Sequence, residues 1–139
     1  MSAKDIKLKE KFRIALTSTA KVISDDFTVN NESSQNKKSK NSEIIEVNDL
    51  TNPSDFIKLR AETDCIALKK KFSNDKIYKK NLPANNSSRS LYNIAEKIRY
   101  ESLGGKMLKG IEKNFTENYL EIINRKRKEK LRTKEDVPV

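Results

Sequence analysis

The sequence predicts a mainly α fold: one small helical domain with a short β-hairpin near its N-terminus. Three observations lead there. Apolar residues recur at three- and four-residue spacing in separate segments, capping residues precede most of those segments, and two short β-favouring runs, Phe27 to Val29 and Ile44 to Val47, lie close together. The length of 139 residues allows one domain, read as residues 1–124, with a basic helical extension and linker at 125–139.

The first helix is expected over residues 5–23, where Ile6, Phe12, Leu16, Thr19 and Ile23 fall near helical spacing, and it should end before Ser24. The two β-favouring runs follow as a hairpin. Its tip, Asn30 to Glu43, contains no hydrophobic residue, so burial cannot offset its ordering entropy and it is expected to be mobile. Asn52-Pro53-Ser54-Asp55 then opens a helix: Asn52 or Ser54 can cap it, Pro53 suits the first position, and Asp55 suits the positive end of the dipole. That helix should run to about Phe72 with Phe56, Leu59, Ala61, Cys65, Ile66 and Leu68 on its apolar stripe. A short helix from Asp75 to Lys80 and a loop at Leu82-Pro83-Ala84-Asn85-Asn86 come next.

Ser87 or Ser88 is expected to cap the following helix, which carries Leu91, Ile94, Ala95, Ile98 and Leu103. It should stop at Gly104-Gly105, with a positive backbone φ at Gly104 closing its last turn. The last helix is expected from about Lys106, with Leu108, Ile111, Phe115 and Tyr119 on one side. These two helices read as an antiparallel pair pivoting on residues 104–106, with Gly110 at a tight crossing beside Ile111, Asn114 and Phe115. The basic stretch Arg125 to Arg132 should project from the fold. The closing Glu135-Asp136-Val137-Pro138-Val139 reads as a linker, which suggests a piece of a longer protein.

Thirty Lys and Arg against twenty Asp and Glu give a net charge of +10. Six lysines against one aspartate crowd residues 67–80, and seven Lys or Arg against one glutamate crowd 125–134. Such clusters suit phosphates, a membrane surface or an acidic protein, or are simply solvated faces. With no histidine and a single cysteine, Cys65, there is no disulfide, no usual zinc site and no His-based catalysis, and Cys65 reads as packing material. No long apolar run or signal peptide is present, so a cytoplasmic location without a membrane partner is expected.

Gly104-Gly105-Lys106 lacks both the strand before it and the Ser or Thr after it that a phosphate loop needs, since Met107 follows. Glu96 and Glu101 each have a basic residue one helical turn away, in Arg99 and Lys97, so local ion pairing is the simpler reading of these carboxylates. A polar connection between the two long central helices, made by Arg60, Asp64, Glu96, Arg99 and Glu101, is expected; the alternative is that each residue pairs only locally. No catalytic, cofactor or metal residue is assigned. Arg60, Asp64, Glu96, Arg99, Glu101, Gly104, Gly110 and Asn114 are the candidate subunit-interface or structural residues.

The run Arg89-x-Leu91-Tyr92-Asn93-x-x-Glu96-x-Ile98-Arg99-x-Glu101-x-Leu103-Gly104, followed by Leu108-x-Gly110-Ile111-x-x-Asn114-Phe115, resembles the N-terminal region of the CobT subunit of aerobic cobaltochelatase. An upstream block from Leu59 to Leu68, with Pro83 after it, is similar to a second motif of that family; Phe72, Ser73 and Asn74 depart from its common His-His-Asp run. The resemblance implies work with an AAA+ ATPase subunit and a large tetrapyrrole-binding subunit, in a complex that inserts cobalt(II) into a corrin ring during cobalamin biosynthesis. ATP, magnesium and cobalt are then expected in the assembled complex and not in this chain. The alternative, raised by charge alone, is a small basic nucleic-acid- or ribosome-associated protein.

Overall fold

The computed structural model describes residues 3–25 and 52–130. These residues form five helices, α1 (Ala3–Ser24), α2 (Pro53–Phe72), α3 (Asp75–Lys80), α4 (Asn86–Met107) and α5 (Lys109–Lys130). Among the described residues there is no strand, so the architecture is helical and the expected β-hairpin is corrected. The two runs assigned to that hairpin, and its tip at 30–43, lie outside the described residues. The physical weakness of the expectation is that an isolated two-stranded hairpin is marginal in water, and the sequence reserves neither a third strand nor an apolar sheet face for it.

The helix starts follow from asparagine chemistry. Asp55 accepts a hydrogen bond from the Asn52 backbone N–H at 3.0 Å. Asn74 Oδ1 accepts from Lys76 N and Ile77 N at 3.0 and 3.2 Å, opening α3, and Asn85 Oδ1 accepts from Ser87 N at 2.8 Å, opening α4. Asn85 therefore caps α4 where Ser87 or Ser88 was expected. A short side chain with a free acceptor two residues earlier does the same work, and the next asparagine, Asn86, is already helical.

α2 is the hub, packing against α1, α4 and α5. Ala61 and Ala67 are buried and let neighbouring helices approach closely, while Leu68 is fully buried. Full burial of a leucine side chain is worth about 1.5–3 kcal/mol relative to exposure. α1 contributes Leu16, Ala20 and Ile23 to the interior, α4 contributes Tyr100, and α5 contributes Ile111 and Phe115. The rings of Phe12, midway along α1, and Phe56, in the first turn of α2, meet edge to face at a centroid distance of 4.9 Å. Lys71 pairs with Asp25 at their C-terminal ends, so the two helices run parallel.

α4 ends differently from expectation. It continues through Gly104 and Gly105 to Met107, and no described glycine has a positive φ. Leu108 makes the corner in extended backbone (φ −139°, ψ 119°), its N–H bonding to Gly104 O at 2.9 Å and its carbonyl accepting from Ile111 N at 3.0 Å. The pivot between α4 and α5 is thus Leu108, not residues 104–106, and α5 begins at Lys109. α5 then runs unbroken across residue 124 into the basic stretch, to Lys130.

Candidate functional site

The polar groups of the fold gather along the joint of α2, α4 and α5. At the C-terminal end of α2, Ser73 Oγ donates to Glu96 Oε1 at 2.9 Å. Arg99 grips the same carboxylate through Nε at 2.8 Å and Nη2 at 2.7 Å, and Nη2 also donates to the Phe72 carbonyl at 2.7 Å. One guanidinium therefore satisfies a terminal carbonyl of α2 and clamps a carboxylate of α4. That pairing holds the Glu96 carboxyl below the usual range, with Arg99 the main cause and Ser73 a lesser one.

Deeper in the joint, Asp64 is 2% exposed and accepts from Asn114 Nδ2 at 2.7 Å, which ties α2 to α5. Burial pushes the Asp64 carboxyl up, opposed by the Asn114 hydrogen bond and by the charge of Arg60. Glu101 is also buried. It accepts from Tyr119 Oη at 2.7 Å, joining α4 to α5, and Lys97 Nζ lies 3.7 Å from its other oxygen. Lys97 also sits 5.9 Å from the Tyr119 ring centroid. Cys65 Sγ and Tyr100 Oη are 3.6 Å apart, and burial raises both groups, so neither is primed as a nucleophile.

The expected polar connection between the two long central helices is therefore found in Glu96 and Arg99, and differently in the others. Asp64 and Glu101 reach α5 instead, and Arg60 is exposed and acts on Asp64 only through its charge. Asn114, a candidate residue, is the partner of Asp64. Ser73, Tyr100 and Tyr119 were missed, because no sequence pattern marks a hydroxyl that meets a distant carboxylate, as Ser73 and Tyr119 do, or a distant thiol, as Tyr100 does.

The glycines separate. A Cβ at Gly104 would lie 2.3 and 2.6 Å from the two Leu68 methyl carbons and 3.0 Å from Leu68 Cγ, so Gly104 is the point of closest approach between α4 and α2. Gly110 has nothing within 4 Å of its Cβ position and is exposed, which corrects its placement at a tight crossing. The crossing belongs to Gly104 because α4 meets the fully buried Leu68 there, whereas Gly110 sits in the first turn of α5, beyond the corner.

Among the described residues no group of three or more His, Cys, Asp or Glu could hold a metal ion, and every buried side-chain N or O has a hydrogen-bond partner. Gly104-Gly105-Lys106 is helical throughout and packed on Leu68, so it does not fit a nucleotide phosphate. No helix among the described residues is long and apolar enough to cross a membrane.

Among the described residues, fold and site together define a helical domain whose polar groups connect its own helices. The comparison with known families is specific: the profile of the cobalamin biosynthesis protein CobT matches residues 7–139. The chain belongs to the CobT family, and that family implies a role in cobalamin biosynthesis in a cobaltochelatase context. No curated protein and no solved structure matches it.

Proposed function

We propose that this chain is a helical portion of a cobaltochelatase subunit that helps an AAA+ partner drive ATP-dependent insertion of cobalt(II), the substrate metal, into a corrin ring. The observation that carries this reading is the family match over residues 7–139. The site supports it in one respect. The family-like positions Asp64, Glu96, Arg99, Glu101, Gly104 and Asn114 all lie at the joint of α2, α4 and α5, where they set the relative placement of three helices. In this reading the chain contributes shape and docking surface, and ATP with magnesium is bound by the AAA+ partner.

The test is reconstitution. The chain is co-expressed with an AAA+ subunit and a large tetrapyrrole-binding subunit, and cobalt insertion is followed by the absorbance change of the corrin. The expected result is co-purification of the chain with the ATPase and insertion that depends on it. Undiminished insertion in its absence, with no co-purification, would overturn the reading.

A further inference from the structure

The α4–α5 hairpin turns one face to α2, and among the described residues no helix packs on the other. On the open face of α4, Leu91, Ile94 and Ile98 are 69%, 55% and 57% exposed, at the i, i+3, i+7 spacing of a continuous stripe. On α5, Leu120 and Ile123 are exposed as well. The register of the hairpin follows from two contacts, the Gly105 Cβ position beside Glu112 and Tyr119 on Glu101. It sets Ile98 level with Leu120 and Ile94 level with Ile123, so the two rows form one apolar strip. The opposite face of α4 carries Glu96, Tyr100 and Gly104, which meet α2.

The strip is bounded by net positive charge, slight at the closed end of the hairpin and strong at the open end. Lys106, Lys109 and Lys113 are exposed at the closed end of the hairpin, and Arg125, Lys126 and Arg127 are exposed at the open end. Lys97 lies between the rows. Two of the closed-end lysines are paired, Lys109 with Glu112 at 3.3 Å and Lys113 with Glu117 at 3.7 Å, which leaves Lys106 as the net charge there, whereas the open end sets three basic residues against Glu121; Glu101 is engaged with Tyr119.

From this arrangement we infer that the outer face of the α4–α5 hairpin docks an amphipathic helix of a partner protein, apolar at i, i+3, i+4 and i+7 and flanked by Asp and Glu. Helix-in-groove recognition uses that spacing, and an acidic flank complements the basic open end at Arg125, Lys126 and Arg127. A second copy of this chain suits the face poorly. A two-fold contact that sets the open ends together opposes two basic clusters, and one that sets open against closed ends offers each cluster only Lys106 and carboxylates already paired with Lys109 and Lys113. A phosphate backbone would use the basic ends and leave the five apolar side chains in water. The inference stands apart from the cobaltochelatase reading and survives its failure.

The test uses the full chain and three fluorescent synthetic helices. One has a Leu stripe flanked by Glu, the second keeps the stripe with Lys flanks, and the third keeps the Glu content with the stripe scrambled. Fluorescence anisotropy should detect binding of the first alone, weakening as salt rises. Ile94→Glu and Ile98→Glu should each weaken that binding by about tenfold or more, the equivalent of ~1.4 kcal/mol. Val22→Glu, at a 61% exposed position on α1, should leave it unchanged. Ile123→Glu serves as a third variant if either α4 substitution unfolds the chain, as read by circular dichroism. Equal binding of the Lys-flanked or scrambled helix, or indifference to the substitutions, overturns the inference. So does a dimer in sedimentation that Ile98→Glu dissolves, or a DNA duplex that the same substitution releases.

Discussion

Gly104→Ala introduces a methyl group at the closest approach of α4 to α2. The added carbon would stand 2.3 Å from one Leu68 methyl and 2.6 Å from the other, well inside the contact distance of about 3.5–4.0 Å between carbon atoms. Leu68 is 0% exposed, and its Cγ is itself only 3.0 Å away, so rotating the methyl groups aside does not clear the overlap. Either α4 moves outward, stretching the Ser73–Glu96 and Arg99–Phe72 bonds, or Leu68 leaves its rotamer. Overpacking costs about 1–3 kcal/mol, and an overlap this deep against a fully buried side chain falls at the upper end, about 2–3 kcal/mol. Alanine is worth about 1 kcal/mol more than glycine within a helix, so the net loss is about 1–2 kcal/mol. For a domain of this size that lowers Tm by about 3–8 °C. Urea unfolding followed by circular dichroism measures it, with Gly110→Ala as the contrast. With no atom near its Cβ position, Gly110→Ala should be neutral or stabilising by about 0.5 kcal/mol. In the double variant, Leu68→Ala should cost less than in the wild type, because the methyl at 104 occupies part of the space that Leu68 vacates. If Gly104→Ala matched the wild type or exceeded it, the close-approach reasoning would be wrong.

Other expectations concern the polar joint. Arg99→Ala should cost about 1–2 kcal/mol, since it frees both the Phe72 carbonyl and the Glu96 carboxylate; a loss under about 0.5 kcal/mol would reduce Arg99 to an ordinary surface pair. Tyr119→Phe removes the donor to buried Glu101 and should cost about 1–3 kcal/mol by thermal melt, whereas unchanged stability would mean that water or Lys97 replaces the hydroxyl fully. Asp64 titrates higher when folded than its ordinary value of 3.8, so the folded state holds the extra proton. Its contribution to stability is present below that value and is lost as pH rises through the folded pKa. Asp64→Asn keeps an acceptor for Asn114 and should flatten this decline in a series of urea melts; the same decline in the variant would assign it to another group. Cys65 should react more slowly with a thiol reagent at pH 8 than in the urea-unfolded chain, and equal rates would contradict its raised pKa.

Much of the helical layout was legible because its signals are local. Asn52-Pro53 and Asn74-Asp75 fix the starts of α2 and α3 by chemistry that needs no distant partner. Gly104-Gly105 misled because glycine has two uses, a left-handed turn and a close approach, and only a neighbouring helix reveals which applies. The stripe Leu91, Ile94 and Ile98 was correctly periodic, yet it faces solvent, since periodicity marks an amphipathic face without naming what covers it. Within the site, Glu96 and Arg99 were visible as one-turn neighbours. The partners of Asp64 and Glu101 lie 50 and 18 residues away, and no short spacing encodes them.

Because α1 and α2 lie parallel, the chain must return from Asp25, at one end of the pair, to Asn52 at the other. That return spans the roughly 30 Å length of a 20-residue helix. Helices α2 to α5 follow one another with connections of no more than five residues, so they can assemble from near neighbours in sequence. α1 joins across a segment of 26 residues, whose closure carries an entropic cost of about 3 kcal/mol. The assembly order is then set by topology: the α2–α5 unit first and α1 last, as a separable lid on the hub helix. Cleavage within the 26–51 segment should leave α1 bound as a noncovalent fragment, exchangeable for a synthetic peptide of residues 1–25.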